Sequence, residues 1–573
     1  MAQLDRLKTI RSRENLAAAL GYSLKSFTSI VYGIPQNKRY VEFSVPKAAG
    51  GERKILAPNP KLKEVQRRLA RLLYLCVNDL EERFPKRKKV SHGFQKGRTI
   101  MTNAAIHRNR RYVLNLDLSN FFESIHFGRV RGFFLQDAAF LLPSEVAQTI
   151  AHIASHNGAL PQGSPCSPVV SNLIGHILDL RMLKLAKRAK CTYSRYADDI
   201  TFSTNAREFP STIASKNETT PNIWSLSPEL VSRIEGAGFK HNPVKTRMQI
   251  RGSRQAATGL VINEIVNVPR EYQSTTRAMC HRLFQTGSYT LPGKVKPTEN
   301  LAPLEGRLSF VHSVKRFNGR AVCIGGKTKN AKLSGIEKTY GQFLFYKYFA
   351  ASTVPIVITE GVSDEIYIRA ALRQRREVFP SLIDSATNSL SFKFLHLKAN
   401  ARSLLQMTSG VEGIGDLIRR YSAQLSKFQA ITPAAPVILI VDNDQAAKKK
   451  VFGAASAFAP KKGGSKQAIS IESDDQIYFL GNNLYLIKIP HNGDNSEKII
   501  ESLIPSDWLS KSLNGKQFDP NKKHGDHSTI GKAAFAKGIV QSNANKIDFS
   551  GFDPLLDMIA ASLIDYQTKE KST

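Results

Sequence analysis

The sequence predicts two folded parts of different class, an α+β part over residues 1–322 and an α/β part over residues 351–573. In the first part, short alternating strands occur among amphipathic helices, which is typical of antiparallel sheets packed against helices. In the second part, continuous apolar runs are separated by helical stretches, which predicts a parallel sheet covered on both faces. Residues 323–350 are predicted to be a linker, because Gly, Lys and Asn are frequent in its first half.

The charge composition indicates a polyanionic partner. The chain carries 82 Lys and Arg against 47 Asp and Glu, a net charge of +35. Basic surfaces bind nucleic acid because they release counterions from phosphates. No apolar run reaches the roughly 18 residues that a membrane span requires, and the charged N-terminus is unlike a secretory signal. We therefore expect a soluble cytoplasmic protein that contacts no membrane, with its oligomeric state left open, a homo-oligomer included.

The positions of the cysteines argue against a disulfide-stabilised fold and against a zinc site built from cysteines. The five cysteines are scattered and form no CxxC pair. Neither a disulfide framework nor a cysteine-based zinc site is therefore indicated.

The elements of the first part follow from hydrophobic periodicity and turn residues. In chain order, the patterns predict helical residues 1–30, strands at 40–45 and 53–56, a helix at 61–80, a basic loop at 86–89, a strand at 113–118, a turn at 160–165, a helix at 167–190, a strand hairpin at 191–203, a polar insert near 205–225, a helix at 227–237 and helices over 270–320.

The second part is predicted in the same way. Continuous apolar runs predict strands at 356–359, 437–441 and 484–489. A helix is predicted at about 364–376, and residues 459–475 are predicted to form a loop.

Two adjacent acids, Asp198 and Asp199, lie at the predicted tip of the hairpin at 191–203. Neighbouring aspartates at a tight turn repel each other unless a cation neutralises them. Asp117 ends the strand at 113–118 and supplies a third carboxylate. Phosphoryl transfer with two divalent metals requires such carboxylates from separate strands. The alternative is an ordinary acidic turn, which is common in proteins.

The order of four motifs resembles that of the reverse transcriptases. Asp117 at a strand end is followed by Leu160-Pro161-Gln162-Gly163-Ser164-Pro165, then Tyr196-Ala197-Asp198-Asp199, then Gly238-Phe239-Lys240-His241-Asn242-Pro243-Val244-Lys245-Thr246. The resemblance implies a right-hand polymerase fold, with fingers and palm to about residue 250 and a thumb over about 265–322.

The same resemblance implies roles for individual residues. Asp117 and Asp198 would be the principal ligands of two Mg²⁺ ions, with Asp199 assisting. Phe122 would stand against the sugar 2′ position and favour dNTP over NTP. The remaining nucleotide-site candidates would be Arg53 and Lys54 for the triphosphate, Gln162 and Gly163 for nucleotide and template, and Lys245 for protonating pyrophosphate. Taken singly, each of these would more often be an ordinary loop or edge residue.

Two further elements resemble those of the retron reverse transcriptases. Ser91-His92-Gly93-Phe94 with Asn103-Ala104-Ala105-Ile106-His107 is similar to one, and Ala257-Thr258-Gly259 is similar to the other, with alanine replacing valine. The resemblance implies a cognate structured non-coding RNA, priming from the 2′-OH of a guanosine, and a branched RNA–DNA product (msDNA). It makes Asn103, His107, Thr258 and Gly259 RNA-binding candidates, although a lone helix histidine is usually structural.

Acidic residues also follow two predicted strands of the second part. Glu360-Gly361-x-x-Asp364 and Asp442-x-Asp444 each come directly after a strand. Sites of parallel sheets form at the carboxyl ends of strands, and Mg²⁺ prefers oxygen ligands. The alternative is a set of solvated strand-end acids.

The pattern resembles the Toprim domain of topoisomerases, primases and overcoming-lysogenization-type nucleases. That resemblance implies Glu360 as acid–base residue, with Asp364, Asp442 and Asp444 as ligands of one or two Mg²⁺ ions. Glu501 and Lys532 are further candidates.

Together these patterns lead to the hypothesis of a retron reverse transcriptase fused to a Toprim nuclease effector that acts in antiphage defence. Its substrates would be dNTPs and the cognate RNA, and its nuclease target DNA or structured RNA. One alternative is a group II intron-like or diversity-generating reverse transcriptase. Another is a C-terminal domain that binds nucleic acid without cutting it.

Overall fold

The chain divides into two compact units in a computed structural model. One unit comprises residues 1–270 and 314–325, and the other comprises residues 271–313 and 326–573. The structure describes residues 2–46, 50–85, 90–216, 224–322, 333–384, 386–459, 467–491, 496–520, 522 and 527–571. The predicted basic loop at 86–89 lies outside the described residues.

The first unit contains ten helices and eleven strands among its described residues. The helices are α1 Gln3–Thr9, α2 Arg13–Ala19, α3 Leu24–Val31, α4 Gln36–Arg39, α5 Pro60–Arg83, α6 Ile100–Ala105, α7 Phe127–Gln136, α8 Ser144–Ala154, α9 Ser167–Arg188 and α10 Pro228–Glu235. The strands are β1 Tyr40–Pro46, β2 Glu52–Pro58, β3 Tyr112–Ser119, β4 Thr192–Tyr196, β5 Asp199–Thr204, β6 Ala214–Lys216, β7 Trp224–Leu226, β8 Lys240–His241, β9 Arg247–Ile250, β10 Ala256–Ala257 and β11 Leu260–Val261, and Pro243–Lys245 is a 3₁₀ turn.

An antiparallel sheet in the order β4-β5-β3-β8 lies at the centre of this unit, and β9 also pairs with β3. Its inner residues are apolar and buried, among them Leu114, Leu116 and Phe202. Helix α9 packs the same core through Val169, Leu178 and other side chains. The sheet is therefore a rigid platform for the side chains at its strand ends.

Most predicted elements of this unit are confirmed within a few residues. The predicted helical stretch 1–30 is instead three helices, because Ser12 and Ser23 cap new helix starts with their side chains. The polar insert near 205–225 contains a short strand pair, β6 with β7.

The second unit is built around one mostly parallel sheet. Its helices are α11 Arg270–Thr286, α12 Leu301–Val322, α13 Gly335–Phe345, α14 Val362–Gln374, α15 Ala399–Leu405, α16 Gly410–Leu425, α17 Gln445–Ala447, α18 Gly453–Phe458, α19 Ser506–Leu509, α20 Lys532–Phe535 and α21 Asp553–Lys571. The division between the units falls within α12, whose residues 314–322 belong to the first unit. Its strands are β12 Ile356–Thr359, β13 Lys393–Phe394, β14 Val437–Val441, β15 Ile477–Phe479 and β16 Leu484–Lys488. Tyr346–Ala350, Lys448–Phe452 and Ala536–Val540 are π turns, and Ile500–Leu503, Gln541–Asn543 and Ser550–Phe552 are 3₁₀ turns.

The sheet order is β13-β12-β14-β16-β15. The three strands predicted from apolar runs, β12, β14 and β16, pair in parallel. The edge strand β15 pairs with β16 in the antiparallel sense. Parallel pairing brings the carboxyl ends of β12 and β14 side by side, which is where Glu360 and Asp442 follow.

The second half of the predicted linker differs from the structure. Residues 335–350 form α13 and the π turn after it, and Phe343, Phe345 and Phe349 are buried. The aromatic residues of this stretch are the reason, because they pack with Tyr421 and Phe428 of the same unit. None of the described helices has the length and apolar character needed to cross a membrane.

Candidate active sites

The first site forms where β3 and the β4–β5 hairpin meet. The ladder between β3 and β5 places Asp117 directly opposite Asp199. The backbone N–H of Leu118 donates to the carbonyl of Asp198 at 3.1 Å, which fixes the hairpin tip against β3. Directly opposed residues have Cβ atoms about 5 Å apart, so like charges there are destabilising. The fold thus brings together the three carboxylates that the sequence predicted.

The electrostatics of this site show a shortage of positive charge. Asp199 has an exposed surface, yet the protein atoms around its carboxyl, followed by the negative charges of Asp198 and Asp117, raise its pKa to about 7. Burial also raises the pKa of Asp198. Lys245 lies with its Nζ 2.9 Å from Asp117 Oδ2, and this hydrogen bond raises the pKa of the lysine.

The turn that carries the two acids is held in a strained conformation. Ala197 has φ +54°, a left-handed value that costs a residue with a side chain about 1–3 kcal/mol. Arg195 donates from Nη1 to the carbonyl of Ala197 at 3.0 Å. Its Nε and Nη2 bind Asp179 at 2.8 Å each, and both side chains are almost fully buried. This ion pair, which we call the turn brace, therefore fixes the turn from beneath.

A close backbone approach supports the same turn. A Cβ on Gly93 would lie 2.5 Å from the backbone nitrogen of Ala197, so only glycine fits there. Asn172 donates to the Gly93 carbonyl at 2.7 Å, and the His92 N–H donates to the Arg195 carbonyl at 2.7 Å. The Ser91–Phe94 motif thus supports the β4–β5 hairpin.

Sequence reasoning missed the turn brace and its neighbours. The available signal was the charge of Arg195 inside a strand and of Asp179 inside a helix, both at positions that the apolar pattern assigns to the core. Such buried charges are rare unless they are paired.

Phe122, five residues after Asp117, lies in an aromatic wall. Its ring centroid is 6.2 Å from that of Phe94 and 5.4 Å from that of Phe121. Phe94 is held at φ +58° and is 37% exposed. The wall is therefore partly open to solvent at Phe94.

Four of the predicted nucleotide-site residues lie on the 160–165 turn and on β2, and these two segments are in contact. The Leu56 N–H of β2 donates to the Gln162 carbonyl at 2.8 Å, and a Cβ on Gly163 would lie 2.5 Å from the Leu56 carbonyl. Arg53 lies close enough to Asp198 for its charge to lower that pKa against the effect of burial. Lys54 is instead paired with Glu42 at 2.8 Å, with both side chains exposed.

Asn103 and His107 are enclosed within the unit. They are 1% and 0% exposed. His107 lies 2.7 Å from the hydroxyls of both Ser194 and Ser203, and Ser194 donates to Asn103 Oδ1 at 2.7 Å. Burial lowers the pKa of His107 to about 3. Both side chains hold the β4–β5 hairpin and offer no surface to RNA.

Thr258 and Gly259 form the two-residue turn between β10 and β11, both with positive φ. The Thr258 hydroxyl donates to the Ile100 carbonyl of α6 at 3.1 Å. Gly259 is exposed, and an added Cβ would meet open space. The turn is therefore anchored on the helix that carries Asn103 and has an open outer face.

The second site forms at the carboxyl ends of β12 and β14. Glu360 Oε1 accepts from the Asp442 N–H at 3.0 Å, and Asp442 Oδ1 accepts from the Ile500 N–H at 2.9 Å. Asp364 accepts from the Gly361 N–H at 2.9 Å and from the Ser363 hydroxyl at 3.0 Å. Burial, followed by the charge of Asp442, raises the pKa of Glu360 to about 8. Burial likewise raises the pKa of Asp442 to about 7.

Glu501 and Lys532 complete this cluster. Lys532 Nζ lies 3.0 Å from Glu501 Oε2 and 3.6 Å from Asp442 Oδ2, and Glu501 is 1% exposed. Asp444 has a different partner, because its Oδ1 accepts from the Ala447 N–H at 2.8 Å and caps α17. Lys532 thus lies between Asp442 and Glu501, so both further candidates of the sequence belong to this cluster.

Both carboxylate clusters fit Mg²⁺ in their chemistry. Their side-chain donors are oxygen atoms, and their raised pKa values reflect crowded negative charge that a divalent ion would relieve. Among the described residues, no three acidic, histidine or cysteine side chains already converge as a metal cage. Mg²⁺ usually takes only one or two carboxylates together with water and substrate phosphates, so an open arrangement is consistent with such a site.

Comparison with known proteins gives matches over the first site. A family model described as reverse transcriptase (RNA-dependent DNA polymerase) matches residues 45–262. The retron Mx162 reverse transcriptase of Myxococcus xanthus is 33% identical over 361 residues, covering 59% of this chain and 70% of the relative. The retron Ec86 reverse transcriptase of Escherichia coli is 29% identical over 339 residues, covering 59% of this chain and 92% of the relative.

Among solved structures, a telomerase of Candida albicans in complex with a fragment of telomeric RNA aligns with 54% of this chain and 60% of that chain. The TM-score is 0.30 at 9% identity, which is too low to support an argument.

Proposed function

Because the chain belongs to the family of retron reverse transcriptases, we propose that it copies a cognate structured RNA into DNA that stays joined to this RNA as a branched molecule. The observation that carries the proposal is the placement of Asp117 opposite Asp199, with Asp198 at the adjoining turn. Polymerisation of nucleotides requires carboxylates in such an arrangement.

The three carboxylates are the proposed holders of two Mg²⁺ ions. Bound there, the ions would supply the positive charge that stabilises the attacking and leaving oxygens. The role of the protein is to keep the carboxylates in fixed positions. The turn brace and Gly93 contribute to this rigidity because both contact the backbone of Ala197. Fixed charges act more strongly in catalysis than groups that must reorganise during the reaction.

Lys245 and Arg53 are the proposed cationic partners of the triphosphate. Lys245 is 57% exposed at its side chain, so it has room to exchange Asp117 for a phosphate oxygen. Its ammonium can then donate a proton to the departing pyrophosphate. Arg53 is free of the pairing that holds Lys54 on Glu42, and it approaches the carboxylates from β2.

Phe122 is the proposed selector of the sugar. Phe122 comes three residues after the end of β3, and its ring is supported by Phe121 and Phe94. A 2′-hydroxyl directed at this ring would lose its water without gaining a hydrogen bond, which disfavours NTP.

The direct test is primer extension on an RNA template with dNTPs and Mg²⁺. The wild-type protein is expected to synthesise DNA, and Asp117→Asn is expected to lower kcat by about 100-fold or more, because one charge of the site is lost. Glu82→Gln, on the exposed end of α5, is the matched control. Undiminished extension by Asp117→Asn would overturn the assignment of this site.

For the second unit we propose a Mg²⁺-dependent nuclease of the Toprim type, acting as the effector of an antiphage system. The support is the cluster of Glu360, Asp364, Asp442 and Glu501 at the strand ends, with Lys532 among them. Asp364, Asp442 and Glu501 are the proposed ligands of Mg²⁺. Asp444 has a supporting role, because it caps α17. Burial and the charge of Asp442 raise the pKa of Glu360 to about 8, so its ionised form is a stronger base toward water than an ordinary carboxylate.

The nuclease proposal is tested with Glu360→Gln and Asp442→Asn. Both variants are expected to lose Mg²⁺-dependent cleavage of cellular DNA or RNA. Phage should then form plaques as they do on cells without the system, while primer extension by the variants remains. Glu377→Gln, at a side chain that is 77% exposed, is the control. If both variants protect cells as wild type does, the unit binds nucleic acid and does not cut it.

A further inference from the structure

A basic groove lies at the end of the central sheet opposite the first site. Its lining includes Arg111, Lys216 and Arg251 together with Tyr112, Trp224 and Ile250, and its volume is about 520 Å³. Tyr112 begins β3 and Asp117 lies five residues further along the strand. At about 3.3 Å per residue, the two ends are roughly 17 Å apart. The groove is therefore separate from the polymerase site.

The cations of the groove are held by neutral groups. Arg251 donates to Asn109 Oδ1 at 3.1 Å, and Arg111 donates to the Arg207 carbonyl at 3.4 Å. Among the described residues, none of the three cations lies within 4.0 Å of a carboxylate, and no acid lines the groove. Their charge is thus directed at solvent and available to an anion.

The apolar part of the groove is exposed beside these cations. Ile250 pairs with Tyr112 across the ladder between β3 and β9 and is 49% exposed. Trp224 packs edge-on against Phe209 at 5.7 Å, and Lys216 lies over its ring at 5.9 Å. This cluster fixes the ring of Trp224 at the edge of the groove.

Fixed cations next to exposed apolar and aromatic surface match one kind of partner. Phosphates would meet Arg111, Lys216 and Arg251, while an unstacked base would pack on Trp224 and Ile250. A duplex would not satisfy both sets, because its base faces are covered by stacking. We propose that the groove binds a single-stranded segment of the template RNA while the polymerase site is occupied.

This inference rests on the proposed function, since it assigns a second contact to the RNA that the polymerase copies. The basic protein has many exposed cations, so the test must separate this groove from the general positive field. We therefore pair Arg111→Gln/Lys216→Gln/Arg251→Gln with a charge-matched control, Lys25→Gln/Lys61→Gln/Arg71→Gln. All six positions are exposed, and thermal unfolding checks that each variant folds.

The measurement is the affinity of a labelled 20-nucleotide mixed-sequence RNA for protein saturated with an RNA–DNA primer–template duplex. The groove variant is expected to bind at least ten-fold more weakly. Its plot of log affinity against log salt concentration should be shallower by about 2, since a single strand contributes about 0.7 per phosphate contact. Ile250→Ser should weaken binding without changing that slope. The control variant should bind within two-fold of wild type.

Three outcomes would overturn the inference. One is equal loss in the groove and control variants, which would indicate only the general field. Another is equal affinity for the fully paired form of the same RNA. The third is displacement of the RNA by poly-glutamate at equal charge, which would indicate an acidic protein partner. Extension of a short primer–template is measured on the same samples and should be unchanged in the groove variant. If the wild type fails to extend the primer, the polymerase assignment is wrong, and this result is distinct from a failure of the groove to bind RNA.

Discussion

The turn brace gives the sharpest prediction about how the first site is built. Replacing Arg195 with methionine removes both hydrogen bonds to Asp179 and the bond to the Ala197 carbonyl. Asp179 is then a buried carboxylate at 2% exposure that keeps the hydrogen bond from the Tyr193 hydroxyl at 2.8 Å. Breaking one side of a buried pair costs about 3–5 kcal/mol. That is a large part of the roughly 5–15 kcal/mol that stabilises a domain.

A second substitution separates stability from positioning. In Arg195→Met/Asp179→Asn no buried charge is left, and the new amide can still accept from the Tyr193 hydroxyl. We expect this double variant to recover much of the lost stability. It should not recover activity, because the Ala197 carbonyl still lacks its donor and the turn is no longer braced. A misplacement of about 1 Å at the reacting groups is expected to lower kcat about 100-fold with little change in KM.

The two tryptophans allow each unit to be followed by itself. Trp224 lies in the first unit and Trp508 in the second, and the chain has no other tryptophan. In a Trp508→Phe background, urea unfolding followed by fluorescence reports the first unit alone. Primer extension gives kcat and KM for the same proteins. If the double variant regained activity together with stability, Arg195 would be a core residue without a role in positioning the acids.

Three further predictions concern substrate choice, pH and salt. Phe122→Val should raise the ratio of NTP to dNTP kcat/KM, and an unchanged ratio would show that the ring does not face the sugar. In chelator, stability should fall as pH rises from about 4 to 8, because the raised folded-state pKa values of Asp199, Asp442 and Glu360 mean that folding favours their protonated forms. Mg²⁺ should offset this fall, and urea titrations at pH 5 and pH 8 with and without the ion test both statements. RNA affinity should fall steeply with salt, with a log–log slope of roughly −4 for six phosphate contacts to a single strand; a flat dependence would count against phosphate binding.

Local pattern was sufficient for most elements of the fold. The apolar runs at β12 and β14 predict those strands residue for residue, because a strand buried on both faces leaves no polar position. The acids at strand ends could be predicted for a related reason, since strand ends are where side chains leave the core. Asp117 and Asp199 face each other because the register of the ladder between β3 and β5 fixes which residues pair.

Contacts between distant segments could not be predicted in this way. The sequence predicts His107 as a lone helix histidine with a structural or an RNA-binding role, but it cannot identify the two serine partners, which lie 87 and 96 residues away. Lys532 belongs to the second site only through the packing of α20 near Asp442. Residues 335–350 differ from the predicted linker because their aromatic side chains pack with residues that are about 80 positions later.

The central claim is that this chain synthesises DNA on RNA with the carboxylates of the β4–β5 hairpin. It is tested most directly by expressing the natural locus with wild-type protein and with Asp198→Asn/Asp199→Asn, and then sequencing the nucleic acid that copurifies. The wild type should carry DNA joined covalently to RNA, seen as a denaturing-gel band that becomes shorter after RNase A digestion. The double variant should remain folded and carry the RNA without DNA. DNA in equal amount on the double variant would contradict the account.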